Sequence, residues 1–398
     1  MIDDGRIGAR VAAQRRLHGL TQRQLAAKAA VSVSLLRKVE QGSRPATRTM
    51  IAAVTRALGV EQGTLTGQPY RTGDRREDSV HETIPAIRRE LAAYRLVPTE
   101  DVAVPCLADL RAATDRVAML RHRVDLTALG GLVPGALADL RTAAHHYQHT
   151  DREQVMALLA DVYYATRQLL HKLGYLDLAS LVADRYEWAA AQSGDPRTVA
   201  LARVLRAGEL DSAGDWRAAR AVVAETIDTS DFPADDPAGL SVWGFLHLMA
   251  GYMCAHAGDA PATWAHYNEA ERAAARLGHD RDDYRLAFGP TNVAIWGTAL
   301  GVELMDGGTA VQLAARVRLT PGTPPERAGH HWLDLARAHL LCHQRAAALD
   351  ALLTARRTAP QQIRYHPLAR ETMYALAYAE RRPSQTLRDL ATWMGLPG

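Results

Sequence analysis

From residue 174 onward the sequence is punctuated at nearly even intervals. Turn residues fall at Gly174-Tyr175, Gly214-Asp215, Gly258-Asp259, Gly307-Gly308, near Gln344 and near Arg382-Pro383, spaced by 40, 44, 49, 37 and 38 residues. Between them apolar residues recur at helical spacing, alanine and leucine abound, and aromatic residues make up only 6% of the chain. Each turn therefore splits an antiparallel helix pair: 155–172 with 176–192, 196–213 with 216–229, 238–257 with 261–277, 289–306 with 308–318, 326–343 with 345–358, and 367–381 with 385–396. A two-helix unit cannot bury its apolar face alone, so the spacing predicts an all-α chain whose pairs stack into a solenoid. Helices at 84–95, 100–122 and 132–149 are expected to form an atypical opening of the array.

At 398 residues the chain exceeds what one compact core usually holds, which leaves room for a separate domain. Residues 1–80 carry a net charge of +7 and the remainder −4, so nucleic-acid binding is expected at the N-terminal end alone. No stretch approaches the roughly 20 uninterrupted apolar residues of a membrane span. The acidic opening of the sequence does not read as a secretory signal. Cys106, Cys254 and Cys342 stand too far apart for a disulfide framework or a CxxC metal pair. These features predict a cytoplasmic protein with no membrane partner. Glycine-rich phosphate loops, nucleophile elbows and zinc-protease motifs are all absent, so neither enzymatic activity nor a cofactor is expected. The His145/His149 and His339/His343 pairs have i, i+4 spacing but no carboxylate or cysteine at a fixed ligand spacing, and are read as surface or interhelix residues rather than a metal site.

The first 66 residues read as a small bundle. Ile7, Val11 and Leu17 lie along one stripe of a first helix that Gly19 closes. Thr21 and Gln24 form a capping box for a second helix, and Ser32 is the N-cap of a third, from Val33 to Gln41, which Gly42 terminates. Leu35, Leu36 and Val39 fall on the buried side of that third helix, whereas Val33, Ser34, Arg37, Lys38 and Gln41 fall on the other. An exposed face that is short-chained at its N-terminal end and cationic further along suits a helix entering the major groove. Arg37 can pair bidentately with guanine, Val33 can meet a thymine methyl, and Ser34 can bond a base or a phosphate. Gln22, Arg44 and Arg48 sit near helix starts and loops, where phosphate contacts are usual.

The segment RIGARVAAQRRLHGLTQRQLAAKAAVSVSLLRKVEQGSRPA resembles the DNA-binding domain of the phage-repressor (Cro/CI, or XRE) family over roughly residues 6–66. That resemblance implies a phosphate contact for Gln22, a base-facing set of Val33, Ser34, Arg37 and Lys38, and a structural salt bridge between Arg15 and Glu40. Ala30 departs from the pattern, standing where the family often has glycine in the turn. Gly174-Tyr175-x3-Ala179-x3-Ala183 and Gly214-Asp215-Trp216-x-Ala218-Ala219 are similar to the tight-turn and small-residue positions of the tetratricopeptide repeat (TPR). The whole chain thus resembles the TPR-containing helix-turn-helix regulators common in actinobacteria. The domain plan is residues 1–66 for DNA binding, 67–82 as a linker, and 83–398 as a TPR-like sensor and dimerisation domain.

Such solenoids line their concave side with the first helix of each pair. There Trp243 and His247 share one face, and Asn292, Trp296 and Glu303 share another, offering rings, an amide and a carboxylate to a ligand. Each of these residues also has a plainer reading, as packing between repeats. The expected function is a homodimeric transcription regulator that binds double-stranded DNA, senses a small-molecule or peptide effector, and switches through dimer geometry. The alternative is a DNA-anchored scaffold whose array holds a partner protein. The domain order also resembles that of the Gram-positive peptide-sensing regulators. Those receptors commonly clamp the peptide with asparagines, and this chain has only Asn268 and Asn292.

Overall fold

The computed structural model describes residues 6–71, 78–97, 103–233, 235–379 and 384–396. The N-terminal bundle comprises α1 (Ile7–Leu17), α2 (Gln22–Lys28), α3 (Val33–Glu40), α4 (Arg48–Leu58) and α5 (Gln62–Thr66). Its local chemistry follows the sequence. Thr21 and Gln24 form the reciprocal capping box, and Ser32 Oγ accepts the Leu35 amide at 3.1 Å. Ala30 takes a left-handed φ of 52°, which a β-carbon disfavours. Arg15 and Glu40 pair bidentately at 2.7 and 2.9 Å, as expected. Leu17 does not join the core: it is 78% exposed, and Ile7 and Val11 alone carry that stripe inward.

A 3₁₀ turn at Ser79–Thr83 leads into α6 (Ile84–Ala92), α7 (Leu107–Arg123) and α8 (Leu126–His146). The pairs then follow: α9 (His149–Leu173) with α10 (Leu176–Ala190), α11 (Pro196–Ser212) with α12 (Trp216–Thr229), and α13 (Pro237–His256) with α14 (Ala260–Leu277). The array continues with α15 (Pro290–Glu303), α16 (Gly307–Ala314), α17 (Pro325–Leu341) and α18 (Arg345–Thr358), and ends with α19 (Pro360–Tyr365), α20 (Pro367–Tyr378) and α21 (Gln385–Trp393). Among the described residues there is no β-strand. The expected all-α chain, a helix-turn-helix bundle followed by helices packed consecutively, is what is found. The turn expected at Arg382-Pro383, residues 72–77 of the linker and the helix start at 100 lie outside the described residues.

One device recurs at the turns. A residue with left-handed backbone is followed by the N-cap of the next helix, as at Gly214-Asp215, Gly258-Asp259 and Met305-Asp306. Each aspartate accepts the amide three residues on, at 3.1, 3.2 and 2.9 Å. The turn read at Gly307-Gly308 is therefore two residues early, at Met305, and both glycines already lie in α16. Gly307 is there for space, since a β-carbon would lie 2.6 Å from Leu341 Cβ. The helix expected at 132–149 starts earlier, because α8 runs through Gly130, Gly131, Pro134 and Gly135. At Gly130 a β-carbon would come within 2.5 Å of Thr83 Oγ1, so the glycine serves a close approach, not a turn.

The array bends until its start meets its end. Arg121 of α7 reaches Glu326 of α17 at 3.4 Å, Lys172 of α9 reaches the same carboxylate at 3.0 Å, and the Leu126 amide donates to Gln361 Oε1 at 2.6 Å. α13 is the one helix among the described residues long and apolar enough to cross a membrane, and 67% of its apolar 18-residue stretch is buried within the protein.

The N-terminal bundle is seated on this closed array. Arg56 Nη1 donates to Gly214 O at 2.6 Å, Gln68 Nε2 donates to Tyr365 O at 3.0 Å, and Leu368 of α20 belongs to the bundle's own apolar cluster. α1 has no side-chain cap of its own. Glu371 of α20 supplies one, its Oε1 accepting the Ile7 amide at 2.8 Å.

Candidate nucleic-acid interface and the chamber behind it

α3 is held from beneath by Leu36 and Val39, both fully buried, with Leu35 only half-buried. Gly8 lets α1 approach closely, since a β-carbon there would lie 1.9 Å from Val39 O. The opposite side is open: Ser34, Arg37, Lys38 and Gln41 are exposed with the array in place, while Val33 and Arg44 are partly covered. Gln22 is less free than expected, because its Nε2 donates to Glu40 Oε2 at 2.8 Å and completes the Arg15–Glu40 network. An amide has two N–H bonds and one oxygen, so capacity for a phosphate remains.

Arg48 is a correction. Expected on a DNA phosphate, it instead points from the first turn of α4 into the array and places Nη2 3.2 Å from His366 Nε2. The reason is tertiary: α4 is one of the elements by which the bundle docks, and its N-terminal end faces inward.

There it helps to wall a chamber of about 260 Å³. The first helices of successive pairs line it: Tyr164, His171 and Lys172 from α9, Phe245, Met249 and Tyr252 from α13, Trp296 and Glu303 from α15, and Glu326, Arg327 and His330 from α17. Arg48 and Ile51 of α4 close it from the bundle side. Of the five expected ligand residues, the structure brings together only Trp296 and Glu303. Trp243 and His247 do not line it; their rings lie 4.9 Å apart, and His247 faces α14, its Nδ1 3.0 Å from His266 Nδ1. On α13 the chamber face is the row Phe245, Met249 and Tyr252, a phase that the apolar character of the whole helix hid. Asn292 is buried, donates to Leu286 O at 3.4 Å, and borders a separate groove near His122 and Asp282.

Glu303 sits in a buried chain of charges. Arg337 donates to it at 2.9 Å and to Asp334 at 2.9 Å, while His256 lies 3.6 Å from Glu303 and 2.9 Å from Asp211. Burial alone would raise the Glu303 pKa, but Arg337, His256 and Arg48 hold it below the usual carboxylate range. Burial, with Arg167, Arg48 and Lys172 nearby, pushes His171 down to about 3. Burial, with Arg327 and Lys172 beside His330 and with Arg48 beside His366, likewise holds both well below the usual imidazole range. Among the described residues no three histidine, cysteine or carboxylate side chains come together as a metal site.

Residues 6–66 match the model of a helix-turn-helix domain family. The N-terminal bundle is a helix-turn-helix domain. Its presence supports a DNA-binding regulator, and the rest of the chain is helical. No curated protein matches the chain. Sequence reasoning missed Glu371, His366, Lys172 and Arg327. The one local signal was the start of α1 at Arg6-Ile7, which lacks any serine, threonine, aspartate or asparagine to cap it and so implies a cap from elsewhere.

Proposed function

We infer that the protein is a sequence-specific transcription regulator of the XRE (Cro/CI) type, whose TPR-like array senses a small effector in the chamber and passes its state to the DNA-reading domain through α4. The observation that carries this reading is that one helix serves both parts. α4 packs in the core of the bundle through Met50, Ile51 and Val54, and walls the chamber with Arg48 and Ile51. The reading face of α3 meanwhile stays open to solvent. A rotation of α4 on the array therefore moves α3 without altering its side chains.

In a homodimer two such helices must lie about 34 Å apart to enter successive major grooves, so a small rotation decides between binding and release. The size of the chamber favours a small molecule over the partner-protein scaffold, since about 260 Å³ lies below the usual range of drug-sized pockets. We place the protein in the cytoplasm, where its DNA target is. Sequencing the DNA retained by the purified full chain, with and without small-molecule cell extract, tests the proposal. A single enriched motif whose recovery changes with extract is the expected result. Retention without sequence preference in both conditions overturns it.

A further inference from the structure

The chamber carries more positive charge than its carboxylates neutralise. Arg337 is matched by Glu303 and Asp334, while Arg121, Lys172 and Arg327 all converge on the single carboxylate of Glu326. Arg48 has no carboxylate within ion-pairing distance among the described residues; its nearest hydrogen-bonding group is an imidazole. That imidazole is constrained. His366 caps α20, its Nδ1 accepting the Leu368 amide at 3.2 Å. A neutral imidazole has one N–H and one lone pair, so the Nε2 facing Arg48 is the protonated nitrogen. Two donors thus confront each other at 3.2 Å, an arrangement that an oxygen anion accepting from both would satisfy. Trp296 also lines the chamber, and its buried indole Nε1 is a further donor without a hydrogen-bond partner among the described residues. Phe245, Met249 and Tyr252 supply an apolar wall beside it.

We propose that the chamber binds a small organic anion, a carboxylate or phosphate on an apolar ring-sized body, with its charged group held between Arg48 of the helix-turn-helix domain and His366 of the array. The body packs on the aromatic wall near Trp296. Because Arg48 belongs to α4 and His366 to the array, the ligand bridges the two parts, and occupancy strengthens the docked arrangement. This deepens the effector reading above and rests on it.

The test is calorimetric titration of the full chain with benzoate, phenyl phosphate and inorganic phosphate, with benzylamine as the cationic control. Benzoate or phenyl phosphate is expected to bind more tightly than inorganic phosphate, and benzylamine not to bind. Arg48→Gln is expected to weaken binding roughly tenfold to a hundredfold, the loss of one charge-assisted hydrogen bond. His366→Asn, which retains a side-chain acceptor for the cap of α20, gives a second route to the same loss should Arg48→Gln fail to fold. Arg203→Ala, at an exposed position on α11, is expected to leave affinity unchanged. Hydrogen exchange in α4 should slow with the anion bound. Benzylamine binding as tightly as the anions, no heat from either aromatic anion at millimolar concentration, or unchanged affinity in a folded Arg48→Gln or His366→Asn variant overturns the proposal. If anions fail but DNA selection still responds to extract, only the ligand class falls. If anions bind but no DNA motif emerges, the regulator reading falls and the anion site stands.

Discussion

Replacing Glu371 tests how the DNA-reading domain is held. The residue is 6% exposed and its Oε1 accepts the Ile7 amide at 2.8 Å, with the Ala46 amide also favouring its charged form. Hydrogen bonds to a charged acceptor contribute about 1.5–3 kcal/mol each. Against this stands the cost of burying the carboxylate, which raises the pKa of Glu371. Losing the Ile7 bond and leaving that amide uncapped outweighs the relief of the burial cost by about 2 kcal/mol. In Glu371→Ala the docked population should therefore fall by roughly thirtyfold relative to the undocked one. Glu371→Gln, which keeps a neutral acceptor oxygen, should lose about half as much free energy. The assay is hydrogen exchange read by mass spectrometry on peptides covering α1 and α4. Faster exchange is expected there in the order Ala, Gln, wild type, with α10 and α14 unchanged. Identical protection of α1 in Glu371→Ala and wild type would show that the carboxylate does not hold the bundle.

Three further outcomes follow from local geometry. Ala30→Gly should stabilise the N-terminal bundle by about 1 kcal/mol, because φ is 52° there, and thermal unfolding would show it as a higher midpoint. Gly8→Ala should destabilise it by more than that, since the new carbon would meet Val39 O at 1.9 Å; an unchanged midpoint would mean that α1 and α3 are farther apart in solution. Acid should weaken the array: burial pushes His331 down to about 4, and burial with His266 nearby pushes His247 down to about 4, so each takes up its proton in the unfolded chain first. Their contribution is complete above about pH 6.5 and is lost as pH falls toward 4, amounting by pH 5 to at most about 2 kcal/mol for each. Urea denaturation at pH 7 and pH 5 reads this directly, and equal midpoints would contradict it.

The features visible in the sequence are those decided within a few residues. The capping box at Thr21 and Gln24, the cap at Ser32 and the Gly-Asp turns at 214 and 258 each form from neighbours in the chain, and each stands where the residues place it. The face of α3 was equally legible because Leu36 and Val39 have no competing apolar side. Phase failed on α13, where apolar residues surround the helix and nothing local separates the Trp243 face from the Tyr252 face. Gly307 and Gly308 read as a turn, and the start of α8 reads too late, because a close approach to Leu341 or Thr83 is invisible until the partner is placed. α19 is too short to show a period, and Arg48 could not be placed without knowing that α4 docks on residues more than 150 positions away, such as Gly214. The chamber is a product of closure, and closure depends on pairs such as Arg121 with Glu326.

Regulation by this protein requires that the outward face of α3 read base pairs. Sequencing the DNA selected by the full chain and by its Arg37→Ala variant, at equal salt, tests this most directly. Wild type is expected to enrich one motif, and Arg37→Ala to lose discrimination by about 1–3 kcal/mol at one base position of each half-site while still retaining DNA. An identical motif with identical enrichment from both proteins would contradict it.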